Sequence, residues 1–387
     1  MANSMKRFSL VNILLLSTLW TSGQQVELWP IQKMNWELGF IDKLGKEIYT
    51  DKFDILDEEY NSGLVFFKKG KKRGFLDEHG KVVFESKYVW GSFSEGLLKL
   101  RDKNGFHYLN TKGEIAIELS SLPLPNGKEI SSISNFHDGL ALIRIQNVGT
   151  EDPNDIASDI SFDESVNLFP GNWLFGFINK NGKWAIPPTL ESATSFKDGV
   201  SLVCHEGRTY FMDTTGAFIT KLDYSAIGDY SEGFALVYED DSCFFINRQG
   251  KRIGNLKFKR ANKFSEGMAS IELNDKWGFI DTSGSIVIEP KYYVRSDFRE
   301  GLAPVSLKVE EKGFMFDSYF IEAFIDKKGN MISPFQKHVD YAGFKSGLTK
   351  GRRFIYTDNR RYTGTFELFY MDKDGNKIWS EVVKQNR

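Results

Sequence analysis

The chain has 387 residues, 41% hydrophobic and 26% charged, enough apolar material for a core and too much for a fibrous or wholly disordered protein. Its 50 basic and 52 acidic residues nearly cancel, so no global field draws it to nucleic acid or anionic lipid. Aromatics reach 14%, with 33 Phe beside 35 Gly, the mixture expected of many short strands joined by tight turns.

The first 23 residues read as a signal peptide. Lys6 and Arg7 form a basic start, Phe8 to Trp20 is mostly apolar, and Thr21, Ser22 and Gly23 supply the small residues needed near a cut. The apolar stretch is shorter than the roughly 20 residues of a membrane span, and no later segment is apolar enough. The expected mature product is an exported protein of residues 24–387 with no transmembrane segment, periplasmic, cell-surface or secreted, and a monomer.

From Val26 onward two patterns alternate. The first is aromatic, aliphatic, Asp or Asn, two residues, then Gly. It occurs nine times, beginning at Phe40, Phe75, Tyr108, Phe177, Phe211, Phe245, Phe279, Phe324 and Tyr370. Its glycines are separated by 35, 33, 69, 34, 34, 34, 45 and 46 residues, so the base period is 34. The second is Phe or Tyr, two residues, Gly, then an apolar run, with its glycine at Gly63, Gly96, Gly139, Gly199, Gly233, Gly267, Gly301 and Gly347. Each unit then reads as three strands. Strand A follows the second glycine, strand B carries the first pattern, and strand C follows its glycine. A to B is a hairpin by spacing. The recurrent Asp or Asn is a turn device whose side chain caps backbone N–H groups, because no enzyme needs nine copies of one carboxylate.

The period breaks informatively. Three A-to-B connections are lengthened, by 26, 11 and 11 residues, giving insertions near 143–174, 306–321 and 350–366. All three fall on one edge of the array, the kind of edge that carries binding in repeat proteins. A further ten or so residues, Leu119 to Ile133, lengthen a C-to-A connection. The first insertion is acidic and ends at Phe169 and Trp173; it lacks the Gly and Glu spacing of a calcium loop, so no metal is expected. The second includes Tyr319. The third carries Arg352, Arg353, Arg360, Arg361 and Tyr362, and arginine beside aromatics can grip carboxylate- or sulfate-bearing glycans. The plainer alternative for the third is a long hairpin with a basic outer face. The binding candidates are therefore Trp173, Tyr319, Arg352, Arg353, Arg360, Arg361 and Tyr362.

Catalytic signatures are missing. His79, His107, His137, His205 and His338 make no metal-binding pair, and there is no nucleophile elbow or phosphate loop. Cys204 and Cys243 either bond across neighbouring units in an oxidising compartment or stay as two buried thiols.

The units resemble the WG, or KWG, repeat. Lys276-Trp277-Gly278-Phe279-Ile280-Asp281, Ile288-Glu289-Pro290 and Tyr292 carry the likeness most fully, and Gly176-Phe177-Ile178, Ile186-Pro187-Pro188 and Phe93-Ser94-Glu95-Gly96-Leu97 carry it in part. It spans roughly residues 26–380. The Trp itself is mostly replaced, by Leu38, Arg73, Phe106, Phe175, Thr209, Cys243, Glu322 and Leu368. The resemblance implies a β-rich binding or scaffolding module of exported bacterial proteins, with no cofactor. The expected fold is all-β, about nine three-stranded units of ~34 residues, forming an open or spiral β-solenoid or a propeller-like toroid. The open form is favoured, because no permuted terminal strand latches a ring. The expected function is a non-catalytic module for a protein or glycan partner on the A-to-B edge; the alternative is a polysaccharide-active enzyme with its site on that edge.

Overall fold

The structure, a computed structural model, describes residues 28–33, 38–51, 53–57, 59–149, 173–224, 226–294, 296–310, 318–334, 336–337, 339–356 and 362–384. The expected leader, Arg360 and Arg361 lie outside these residues. The described residues are all-β, and none forms a helix long and apolar enough to cross a membrane. They make nine antiparallel sheets of three or four strands, here numbered 1 to 9 in chain order.

Sheet 2 shows the plan. A short lead strand, Ile55–Leu56, pairs with strand A, Leu64–Lys69; A pairs with B, Lys72–Asp77; and B pairs with C, Val82–Glu85. The lead strand is an addition to the three expected strands. It recurs in sheets 4, 5, 6, 7 and 9. In sheet 4 it absorbs much of the Leu119–Ile133 extension, which becomes a ten-residue strand, Lys128–His137, with Leu119 and Leu122 buried beside it.

Each signature has a visible cause. In sheet 1 the Asp42 carboxylate accepts the N–H groups of Leu44 and Lys46, both at 2.9 Å, and the same cap recurs at each Asp or Asn of the series through Asp372. The second pattern is a two-residue hairpin turn joining the lead position to strand A. In Ser94-Glu95-Gly96-Leu97, Glu95 (φ 50°) and Gly96 (φ 81°) are the two central residues of a type I′ turn, and Ser94 and Leu97 exchange backbone hydrogen bonds. All eight copies place a Ser, Asp or Glu at positive φ ahead of the glycine.

Packing explains why the two patterns share one period. The aromatic of the first pattern in one sheet meets the aromatic of the second pattern in the next: Phe75 with Phe93, Phe177 with Phe196, Phe279 with Phe298, and Phe324 with Phe344, ring centres 4.6–4.9 Å apart. Each of these residues is essentially fully buried, which contributes about 2–3 kcal/mol apiece. Every core cluster straddles two adjacent sheets, so no sheet has a core of its own.

The array closes. One cluster joins Ile31 and Ile41 of sheet 1 to Leu348, Leu368, Tyr370 and Trp379 of sheet 9. The Trp29 indole donates to the Ser346 carbonyl at 2.7 Å, and the Trp379 indole donates to Glu47 at 3.1 Å. The arrangement is thus a nine-bladed propeller, and the favoured open array is corrected. The latch adds the Trp29 and Trp379 indoles, which lie outside both repeat patterns, to core contacts of the usual kind, and needs no permuted strand.

Candidate functional site

Strand A begins and strand B ends at the same edge of each sheet, so the two signature turns share one rim and the A-to-B hairpins share the other. The second and third insertions prolong those hairpins on neighbouring sheets. Sheet 8 pairs Leu302–Glu310 with Ser318–Asp326, and sheet 9 pairs Leu348–Tyr356 with Tyr362–Asp372. Residues 306–310, 318–321, 350–356 and 362–366 are strand, which agrees with the plainer hairpin reading.

This rim carries stacked cations and rings. Arg352 is half exposed, 4.8 Å over Phe354 and 5.9 Å from Phe366, and its guanidinium reaches Asp340 at 3.2 Å. Lys337, at the end of sheet 8, lies 4.3 Å over Tyr319. Lys276 caps Tyr293 at 3.0 Å, and Tyr293 meets the exposed Phe320 edge-on at 5.7 Å. The strip runs across sheets 7, 8 and 9. A ring face holding a cation leaves the cation's other donors free for an anion.

The structure divides the sequence candidates. Tyr319 and Arg352 belong to the strip. Arg353 is turned to structural work, donating to Gln336 at 2.6 Å and facing Glu367 at 3.4 Å. Trp173 immediately precedes the sheet 4 strand Leu174–Asn179, across the ring, where Arg144 covers it at 4.9 Å and it packs on a core cluster. Tyr362 starts the second strand of the sheet 9 hairpin. Lys276, Tyr293 and Lys337 were missed, because they lie outside the inserted segments themselves and only the ring places them beside the long hairpins.

The repeat Trp is no platform here: Trp277 is 6% exposed, packed between sheets 7 and 8. Both cysteines are free thiols, so the bonded alternative falls away. Burial pushes each thiol up to about 11, aided at Cys204 by its hydrogen bond to Glu191 at 3.3 Å.

Below the strip, Glu322 occupies the repeat Trp position of sheet 8. Burial raises it to about 7, with the Asp340 charge adding and the Tyr341 N–H, 3.0 Å away, opposing. Between the ordinary value of 4.5 and about 7 the folded chain therefore holds a proton that the unfolded chain has lost, so this residue lowers stability as pH rises through that window. Glu322→Gln should raise the melting temperature relative to the parent at about pH 8 and leave it nearly unchanged at about pH 5. Calorimetric melting at both values checks it.

Four consecutive stretches, 175–208, 211–243, 244–277 and 277–308, match the family model of the WG containing repeat. These units are WG repeats. They supply most of sheets 5, 6 and 7 and the junctions with sheets 4 and 8. No curated protein matches the chain in sequence. Among solved structures, one described as the eukaryotic initiation factor is 11% identical, covers 94% of this chain and 97% of its own, and superposes with a TM-score of 0.51, a likeness of fold alone. Apo AztD from Citrobacter koseri is 12% identical over 93% of this chain and 94% of its own, with a TM-score of 0.39. A propeller of stacked repeat sheets with no core of its own in any blade suits a binding or scaffolding module.

Proposed function

We propose that the protein is an exported binding module whose A-to-B rim, over sheets 7 to 9, holds an acidic glycan. The observation that carries this reading is the strip in which Lys276, Lys337 and Arg352 each rest on an aromatic face of that rim. Sugar rings stack on the exposed aromatic surface, and carboxylate or sulfate groups meet the cations. The basic, apolar and small-residue order of the first 23 residues supports export.

Replacing 354–366 with an Asn-Gly turn removes the tip of the sheet 9 hairpin and leaves the paired base of the sheet in place. Binding to an array of carboxylated and sulfated polysaccharides should fall at least roughly tenfold at a temperature where both proteins are folded, while loss of the buried Phe366 lowers the melting temperature. Arg352→Ala should weaken it severalfold, the exposed Asp340 pair contributing at most about 1 kcal/mol to folding. Unchanged array binding by the trimmed protein rules the rim out; binding only to a protein from the same surface replaces the glycan with a protein partner.

A further inference from the structure

In sheet 7 the repeat Trp, Trp277, fills the space against sheet 8 beside Phe298 and Val305. In sheet 8 the same position is Glu322, which is smaller and polar. A cavity of about 350 Å³ lies there between sheets 8 and 9, lined by Glu322, Ser296, Asp297, Arg299, Tyr341 and Lys345. That volume is within the range of ligand pockets and far above the ~30 Å³ share of one water.

The lining is polar and incompletely paired. The Ser296 side chain is nine-tenths buried, and neither its hydroxyl nor that of Tyr341 has a hydrogen-bond partner among the described residues. Buried polar atoms in that condition are uncommon and ask for a partner. Arg299 makes no ion pair among the described residues; its stem lies along Gly343, where an added Cβ would come within 2.9 Å. Asp297 accepts from Asn262 at 2.7 Å, and Lys345 pairs with Glu59 at 2.8 Å.

The geometry points to a ligand site in this cavity for a carboxylate-bearing sugar, with its carboxylate on Arg299 and its hydroxyls on Ser296, Tyr341 and Glu322. An unpaired guanidinium selects an anion in bidentate geometry. Two carboxyl groups in the same wall reject a dense anion such as phosphate but accept O–H donors. Hydroxyls that both donate and accept match a polyol, and Val294, Pro304 and Val305 offer its C–H faces an apolar wall. A second cleft of about 420 Å³, between sheets 9 and 1 and including Trp29 and Tyr60, shares Gly343 and Lys345 with the first, so the sugar has room to continue as a short chain. This site lies among the lead positions and turns, away from the hairpin tips, and does not rest on the rim reading.

The test uses the full chain with D-glucuronic acid, D-glucose and inorganic phosphate, followed by calorimetry or by ¹⁵N shifts of Tyr341 and Gly343. Glucuronic acid should bind with a dissociation constant on the order of 1 mM, and glucose and phosphate at least tenfold more weakly. Arg299→Gln should erase the preference over glucose. Glu322→Trp, which restores the repeat residue and fills the cavity, should abolish binding with the melting temperature kept. Tyr341→Phe, a change of one hydroxyl, should weaken binding severalfold even where the Trp variant folds poorly. The protein with the trimmed sheet 9 hairpin should bind glucuronic acid as the parent does. The assignment is overturned if the parent does not bind glucuronic acid, if phosphate binds as well, if Tyr341→Phe binds unchanged, or if trimming the hairpin removes binding.

Discussion

Gly45→Ala is expected to destabilise the protein by about 3 kcal/mol and to do so at the seam of the ring. Gly45 sits at φ 75°, a backbone conformation that costs a Cβ-bearing residue about 1–2 kcal/mol. A Cβ there would also stand 1.7 Å from the Ile378 carbonyl of sheet 9, a backbone atom that cannot rotate away. Moving it disturbs the strand Lys377–Lys384 and with it the Trp379 contact to Glu47. Gly375→Ala is the control. Its φ is 85°, but nothing lies within 4 Å of the added atom, so it should cost only the backbone strain. Urea unfolding gives the difference between the two, and hydrogen exchange should show extra opening in Trp29–Gln32 and Lys377–Lys384 for Gly45→Ala alone. Equal losses in both variants would mean that sheets 1 and 9 do not bear on each other.

The second large effect is expected from Glu266→Ala, a loss of about 2 kcal/mol. Glu266 is a central residue of one I′ turn, and its carboxylate accepts the N–H groups of Glu300 at 2.5 Å and Gly301 at 2.8 Å in the next. Its own N–H donates to Glu232 of the turn before, at 2.6 Å. The chain of such links runs around the rim: Glu95 takes Gly139, Asp138 takes Gly199, Asp198 takes Glu232, and Glu300 takes Gly347. Lysines of the neighbouring caps close on the same acids, Lys180 on Glu95 and Lys373 on Glu300. The strained backbone of each acid is thus offset by bonds that only a residue in that conformation can reach. Glu266→Gly loses the same bonds but relieves the strain, so it should be less damaging than Glu266→Ala.

Acid should act through the same links. Burial pushes Glu95 and Glu266 upward, but hydrogen bonds from the next turn and a lysine outweigh it and hold both below the ordinary 4.5. Their contribution is present above that value and is lost as pH falls through the lower folded value, where the unfolded chain binds the extra proton first. Glu266→Ala should flatten the acid limb of the denaturation curve. A limb as steep as the parent's would show that this carboxylate is not coupled to folding.

Much of this was legible because repetition averages out the ambiguity of any single short strand. Nine caps of the Asp42 kind, and the period shared with the Phe93 series, fix strands, turns and stacking together. The lead strand was not legible. Ile55–Leu56 and Arg260–Ala261 are two residues long, too short for any periodicity, and the I′ turns behind them carry Ser62 and Glu266 where Asn is the familiar signal. Closure was hidden because Trp29 and Ser346 are 317 residues apart and Trp29 lies outside both repeat signatures. The A-to-B hairpins of sheets 8 and 9 are long and adjacent, but being on one rim is not in itself being adjacent. Trp173 and Arg352 are on opposite sides of a nine-membered ring, and nothing in the spacing says so until the ring is known. Glu322 was visible as a departure from the repeat Trp, but a substitution at one position does not tell whether its neighbours collapse or leave a cavity.

The links from Glu232 to Glu266 and from Glu266 to Glu300 are chemically identical, each a carboxylate on two successive N–H groups. A duplication or deletion of one whole 34-residue unit in this region would therefore regenerate every bond at the join. Bonding between these blades carries no count; the dissimilar links lie elsewhere, at Ser62, whose hydroxyl takes the Gly96 N–H, and at the seam, where the Trp29 indole donates to the Ser346 carbonyl. Lineages of such rings are free to change circumference by unequal exchange, while the first and last blades stay fixed as the clasp.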